Sequence, residues 1–223
     1  MREMPEMCIE LSPELRVIYP RARFGSLTMR DAPNTRKIGA LEERKRLLER
    51  QIRDDYPTVE EDNIIQGYAT YFKRWEKTYP IEFQIKTLKK GGRLPQVSAL
   101  VDSMFMAELK NRILTSGHDL DALAGDLIFD VSGEGESYVK LNGEEQMLKG
   151  NDVILRDEEG VLASILYGPA RRTSISPTTR NAIYFAWCPY GMGEDLIRAH
   201  LNDILSNLRI INESISSETQ ILE

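Results

Sequence analysis

His118 is the side chain in this sequence with the widest chemical range, because an imidazole of ordinary pKa about 6.5 exchanges a proton near neutral pH. It stands between Gly117 and Asp119 and leads into a polar turn, Leu120-Asp121-Ala122-Leu123-Ala124-Gly125-Asp126-Leu127. A second polar turn, Arg172-Thr173-Ser174-Ile175-Ser176-Pro177-Thr178-Thr179-Arg180-Asn181-Ala182, carries a hydroxyl at Thr179 and an amide at Asn181, groups that can orient a water. Each turn feeds an apolar strand. A plainer reading stands beside this one: a histidine at a helix-to-strand turn is often a hydrogen-bonded loop residue, and Thr179 and Asn181 can simply close their loop. The other histidine, His200, falls inside a helical stretch and reads as a surface residue.

Absent motifs narrow the chemistry. There is no Ser-His-Asp spacing, nucleophile elbow, phosphate-cradling glycine loop or paired-cysteine metal signature. Cys8 and Cys188 lie far apart, so no metal site and no cofactor are expected, and a reducing cytoplasm is the natural setting. With 223 residues, 41% hydrophobic and 29% charged, the chain has the balance of a soluble globular protein with one main core. No apolar run suits a bilayer, so no membrane partner is expected, and the first ten residues, with Glu3, Glu6 and Glu10, lack a signal-peptide core.

A net charge of −6 argues against a protein that coats nucleic acid indiscriminately. The distribution is uneven, however. Lys73, Arg74, Lys77, Lys86, Lys89, Lys90 and Arg93 form a basic island opposed by Glu76 and Glu82, whereas acids crowd the turns between Asp130 and Gly160. Two such faces either orient the protein on RNA or serve only as solvated surface. Within the island, Tyr71-Phe72-Lys73-Arg74-Trp75 mixes aromatics with cations, a pattern that stacks a terminal base or fills a helix core.

The elements that must position these groups change period midway. Leu15 to Met29, interrupted by Pro20 and Gly25, reads as one or two short extended segments. Lys37 to Asp55 has the narrow apolar stripe of a surface helix. Thr58 and Glu61 form a capping-box pattern that opens a helix towards Trp75, Ile81 to Lys89 is a shorter helix, and Ser98 to Leu114 is the central buried one. Strand-length runs follow at Leu127–Val131, Tyr138–Leu141, Asp152–Leu155, Val161–Tyr167 and Ala182–Trp187, with Asn142-Gly143 as a hairpin turn in which both residues tolerate positive φ. Glu194 to Ile211 is a helix that packs on the sheet, and the Ser- and Glu-rich residues 212–223 read as a flexible tail. The expected class is α+β, with a helical first half, a mixed sheet in the second half and a C-terminal packing helix.

The two turns together resemble the B3/B4 domain of the phenylalanyl-tRNA synthetase beta subunit, and more closely the free-standing B3/B4 proteins. The resemblance covers residues 68–211, leaving residues 1–67 as an extension integrated with the fold. In the synthetase this domain hydrolyses tyrosine wrongly esterified to phenylalanine tRNA. Such a second site is needed because an apolar pocket rejects an isostere with an extra hydroxyl by only ~10². The resemblance implies a tRNA partner, bound at its aminoacyl end, and gives Tyr167, Gly168, Arg172 and Thr173 a substrate-binding role. His118, Thr179 or Asn181 would then hold the attacking water, with backbone groups near Gly168 receiving the oxyanion. Lys73, Arg74, Lys86, Lys89 and Lys90 would hold RNA.

The chain also departs from the synthetase pattern. The family histidine falls at Ser116, two positions before His118, and the family glutamate falls at Phe185. Nothing resembles the ATP-binding motifs of the synthetase, so this is not a synthetase on its own. Three functions follow: an aminoacyl-tRNA deacylase acting in trans, a noncatalytic RNA-binding module, or a sensor of a small aromatic metabolite.

Overall fold

The computed structural model describes residues 7–57 and 61–223. Strand β1 (Ile9–Leu11) is followed by helix α1 (Pro13–Ile18) and strand β2 (Arg23–Arg30). The stretch expected to be extended from Leu15 thus begins with a helical turn and a half. The local cause was present in the sequence: Ser12 Oγ accepts from Leu15 N–H at 3.0 Å, and Pro13 occupies the first helical position.

Four helices then build one end of the molecule: α2 (Gly39–Asp54), α3 (Asn63–Lys73), α4 (Pro80–Lys89) and α5 (Ala99–Asn111). Thr58 of the expected capping box lies outside the described residues. The cap of α3 is Asp62, whose carboxylate accepts from the N–H groups of Ile64 and Ile65. Helix α5 starts after Ser98 as its cap and is buried over most of its surface.

The strands β3 (Thr115–Asp119), β4 (Leu127–Val131), β5 (Ser137–Val139), β6 (Glu145–Met147), β7 (Val153–Asp157), β8 (Gly160–Ser164), β9 (Gly168–Pro169) and β10 (Ala182–Cys188) follow, then helix α6 (Glu194–Leu208) and strand β11 (Ser216–Leu222). One sheet has the order β1-β4-β7-β8-β9, a second β11-β2-β10-β3, and β5 and β6 form a separate hairpin. In that hairpin's turn Gly143 alone has positive φ, +86°, and its N–H donates to Lys140 O at 2.9 Å; Asn142 does not share the left-handed conformation expected of it. The expected tail is instead an edge strand, paired with β2 from Ser216 opposite Arg30 to Leu222 opposite Phe24. Among the described residues before 68, β1 lies parallel to β4 and β2 sits inside the second sheet, so these strands belong to the same body.

The second sheet is covered on both faces. Leu27, Met29, Tyr184 and Ala186 pack with Leu100, Ile197 and Leu201 of α5 and α6. The helix comes so close to β2 that a Cβ at Gly25 would lie 2.5 Å from Ile197, which leaves room only for glycine there. His200 is not a surface residue: it is fully buried against the end of α5 and β3, with Nδ1 3.3 Å from Asn111 Nδ2 and Nε2 2.8 Å from Thr115 Oγ1. On the opposite face, Phe24, Phe129, Phe185 and Trp187 pack between the two sheets, with Phe24 stacked on Phe129 at 4.0 Å.

Candidate functional site

The two polar turns meet. Asp119 N–H donates to Thr173 O at 2.8 Å and Leu120 N–H to Asn181 O at 3.0 Å. Thr179 Oγ1 donates to Asp119 Oδ2 at 2.6 Å and accepts from Ser176 N–H at 2.9 Å. Asn181 Nδ2 donates to both oxygens of Asp121, at 3.1 and 2.9 Å, while its Oδ1 accepts from Asp31 N–H. Every polar atom that was to orient a water is therefore used to tie one turn to the other, and Thr179 is buried as well.

His118 is fully buried beneath this junction. Its Nδ1 lies 2.8 Å from Thr173 Oγ1 and its Nε2 3.1 Å from Ser116 Oγ, which also accepts from Trp187 Nε1 at 3.0 Å. Burial lowers its pKa to about 4, and the nearby Arg172 charge adds to that effect. A neutral, enclosed imidazole with both nitrogens occupied is a core histidine. The structure places His118, the candidate general base, inside the core rather than on an open turn.

The positions matched to the family histidine and glutamate explain the enclosure. Ser116 and Phe185 face each other across β3 and β10. Phe185 has no exposed surface, packs edge-on to Phe129 at 5.5 Å and lies 6.0 Å from the His118 ring. Apolar side chains fill the space where the resemblance implies a carboxylate.

The expected substrate-binding residues are also engaged. Arg172 pairs with the carboxylate of Asp157 and, at 3.4 Å, with Glu159. Thr173 is buried against His118. Tyr167 has Lys77 Nζ 4.6 Å above its ring. Gly168 has φ +83° with open space where a Cβ would stand, so the backbone turn rather than a close approach calls for glycine; its carbonyl accepts from Tyr138 OH at 2.6 Å.

The open volume lies next to the junction. A cleft of about 700 Å³ separates β1 from the β2–β11 edge of the second sheet and is floored by Leu120 and Leu123 of the first turn. Ser26 and Thr28 line it from β2, and Arg30, Asp126, Glu218 and Gln220 stand at its rim, all four exposed. Cys8 also lines it, but a hydrogen bond to Glu10 raises the thiol pKa and keeps it protonated. This cleft escaped the sequence reading because β11 forms one wall of it. So did Asp152, a buried carboxylate that accepts from Tyr71 OH at 2.6 Å and from the Ser164 hydroxyl, and whose pKa burial raises to about 6. The turn residues Gly150 and Asn151 before it gave no sign of burial.

The basic residues divide between two elements. Lys73 and Arg74 end α3, where Arg74 lies 5.7 Å from the centre of the Tyr19 ring and 5.2 Å from that of Tyr190. Tyr71 and Phe72 belong to the core, so they offer no stacking surface to a base. Lys86, Lys89 and Lys90 are exposed on and just after α4, with Lys86 3.9 Å from Glu82 and Lys89 Nζ donating to Tyr56 O at 3.3 Å. Among the described residues there is no cluster of His, Cys, Asp and Glu able to hold a metal, and no helix is long and apolar enough to cross a membrane.

Comparison with known proteins fits this architecture. An N-terminal fragment of the phenylalanyl-tRNA synthetase beta subunit from Pyrococcus horikoshii has a similar fold, with a TM-score of 0.50 and 13% identity, over 99% of this chain and 51% of that one. The phenylalanine–tRNA ligase beta subunit of Mycoplasma genitalium is 27% identical over 67 residues, or 30% of this chain and 8% of that protein. The chain thus spans about half of the first and a small part of the second. The B3/4 domain model matches residues 68–188, more than half of the chain, from the middle of α3 through both turns to the end of β10. The chain belongs to the B3/4 domain family.

Proposed function

We infer that this chain is a tRNA-binding module that recognises the aminoacyl end without hydrolysing its ester. The observation that carries the reading is the junction itself: in a B3/4 domain, His118, Thr179 and Asn181 are fully engaged in holding the two turns together. The family match and the likeness to synthetase beta subunits support a tRNA partner. The cleft beside the first turn is the volume an aminoacyl group would enter, with Asp126 and Glu218 at its rim to meet the ammonium of an aminoacyl ester and Arg30 to meet a neighbouring phosphate.

The test is filter binding of tRNA across a salt series, beside deacylation of tyrosyl-tRNA carrying the phenylalanine anticodon. The reading expects affinity that falls steeply with salt, loss of binding when Lys86, Lys89 and Lys90 become Glu together, and no ester turnover. Turnover abolished in His118→Ala would overturn the noncatalytic reading in favour of a deacylase. The cleft also favours a second reading, a sensor of a small aromatic amino acid, which expects thermal stabilisation by the free ligand and no RNA affinity.

A further inference from the structure

The outer face of α4 combines three features that the junction does not use. Phe83 is 59% exposed, an unusual position for a phenylalanine, and Lys86 Nζ lies 5.9 Å from its ring centre. Phe83, Lys86, Thr87 and Lys90 follow helical spacing along one stripe, while Ile81, Ile85 and Leu88 hold the opposite face in the core. Beside Phe83 is a hollow of about 240 Å³, closed by Thr87, Arg93, Leu94 and Pro95. That is below the ~300–1,000 Å³ of sites for drug-sized ligands and suits a single planar ring.

The hollow is braced from α2 and chemically incomplete. Arg53 of α2 donates to Leu88 O at 3.1 Å and Gly92 O at 2.9 Å, and Glu49 accepts from Leu94 N–H at 2.7 Å, so the segment after α4 is fixed against α2. Gln84, which lines the hollow, has a buried Oε1 with no hydrogen-bond partner. A buried acceptor left unpaired is destabilising and calls for a donor from a ligand. Arg93, which lines the hollow, and the exposed Lys90 just after α4 have no ion-pair partner among the described residues.

We propose that this face is a nucleobase subsite for unpaired RNA: Phe83 stacks one base, Gln84 Oε1 accepts from its exocyclic amine, and Lys86, Lys90 and Arg93 hold the flanking phosphates. Stacking on exposed aromatics and a basic track for the backbone are how single strands are bound. An acceptor at Gln84 meets the projecting exocyclic amine of adenine, cytosine or guanine; uracil has no amine and offers only its ring N3–H, set further back on the base edge. The proposal rests on the RNA-binding reading above and specifies where on the chain a base is held.

Fluorescence anisotropy with labelled oligoadenylate and oligouridylate at one low salt concentration, alongside tRNA, tests it. Wild type should prefer oligoadenylate. Phe83→Ala, at an exposed position that leaves the core intact, should weaken oligoadenylate binding by roughly 5- to 150-fold, the range for one base stacked on an aromatic. Gln84→Leu should abolish the preference for oligoadenylate while keeping oligouridylate binding. If tRNA binds with the expected dependence on Lys86, Lys89 and Lys90 but both variants match wild type, the subsite is overturned and the RNA-binding reading stands. If wild type binds no RNA, both fall.

Discussion

The turn junction and the α4 face differ in how their polar groups are satisfied. At the junction, His118, Thr173 and Thr179 are buried and hydrogen-bonded to one another or to Asp119 and Ser116. On and just after α4, Phe83 and Arg93 line a hollow, Lys90 and Arg93 lack ion-pair partners among the described residues, and Gln84, a lining residue, has a buried Oε1 without a donor. Residue types able to catalyse are concentrated in the first region, yet the unmet hydrogen-bonding capacity is in the second. Function in this chain is better sought where groups lack partners than where reactive types gather.

The contrast is broken most directly by restoring the family carboxylate. Phe185→Glu places an unpaired charge among Phe129, Trp187 and His118, and should lower stability by about 3–5 kcal/mol in urea denaturation. A variant as stable as wild type would mean that the space between the sheets has room for a polar group after all.

The closed interior also sets a pH response. Burial raises the Glu108 pKa from 4.5 to about 8, so the folded chain keeps a proton that the unfolded chain has lost. Stability therefore falls as pH rises from about 4.5 to about 8. His118 and His200, both lowered to about 4, act in the opposite sense, because below pH 6.5 the unfolded chain binds protons that the folded chain refuses. Asp152, raised to about 6, adds to the Glu108 effect at acid pH. Between pH 6.5 and 8 Glu108 dominates, and Glu108→Gln should remove a decline of order 1 kcal/mol per pH unit, read from urea midpoints at each pH.

Smaller changes sharpen the picture. Thr179→Val removes the hydroxyl that bridges Asp119 and Ser176 and should cost about 1.5 kcal/mol, without changing tRNA affinity measured by filter binding. Arg172→Ala leaves the buried Asp157 carboxylate with only the backbone N–H groups of Ala124 and Glu159 as donors, and should cost about 1–3 kcal/mol. It should also raise the His118 pKa, followed by the imidazole signals in an NMR titration, since the guanidinium helps to hold that pKa down.

The sequence made some of this legible and hid the rest for identifiable reasons. Helices α2, α5 and α6 announced themselves because apolar residues recur at helical spacing, and both turns were visible as polar runs ahead of apolar strands. That the turns bind each other through Asp119 with Thr179 and Asp121 with Asn181 was not visible, because it depends on β3 and β10 being neighbours. His200 sits on a helix with charged neighbours, and its burial follows from the packing of α6 against the end of α5 and β3, where Asn111 and Thr115 meet its ring. Strand β11 reads Ser-Ser-Glu-Thr-Gln-Ile-Leu, polar like a tail, because an edge strand beside an open cleft keeps most of its side chains in water.

That edge strand has a consequence for the order of assembly. Strand β2 is made early in synthesis, yet its two partners, β10 and β11, lie more than 150 residues further along the chain. The helical end, built from contacts nearer in sequence, can form first, whereas pairing across such separations is slow. Until residues 216–222 exist, β2 presents a bare backbone edge alongside the apolar side chains of Phe24, Leu27 and Met29, the kind of template on which chains join one another. A ribosome product that stopped just short of Ser216 would contain both turns and still be prone to aggregate.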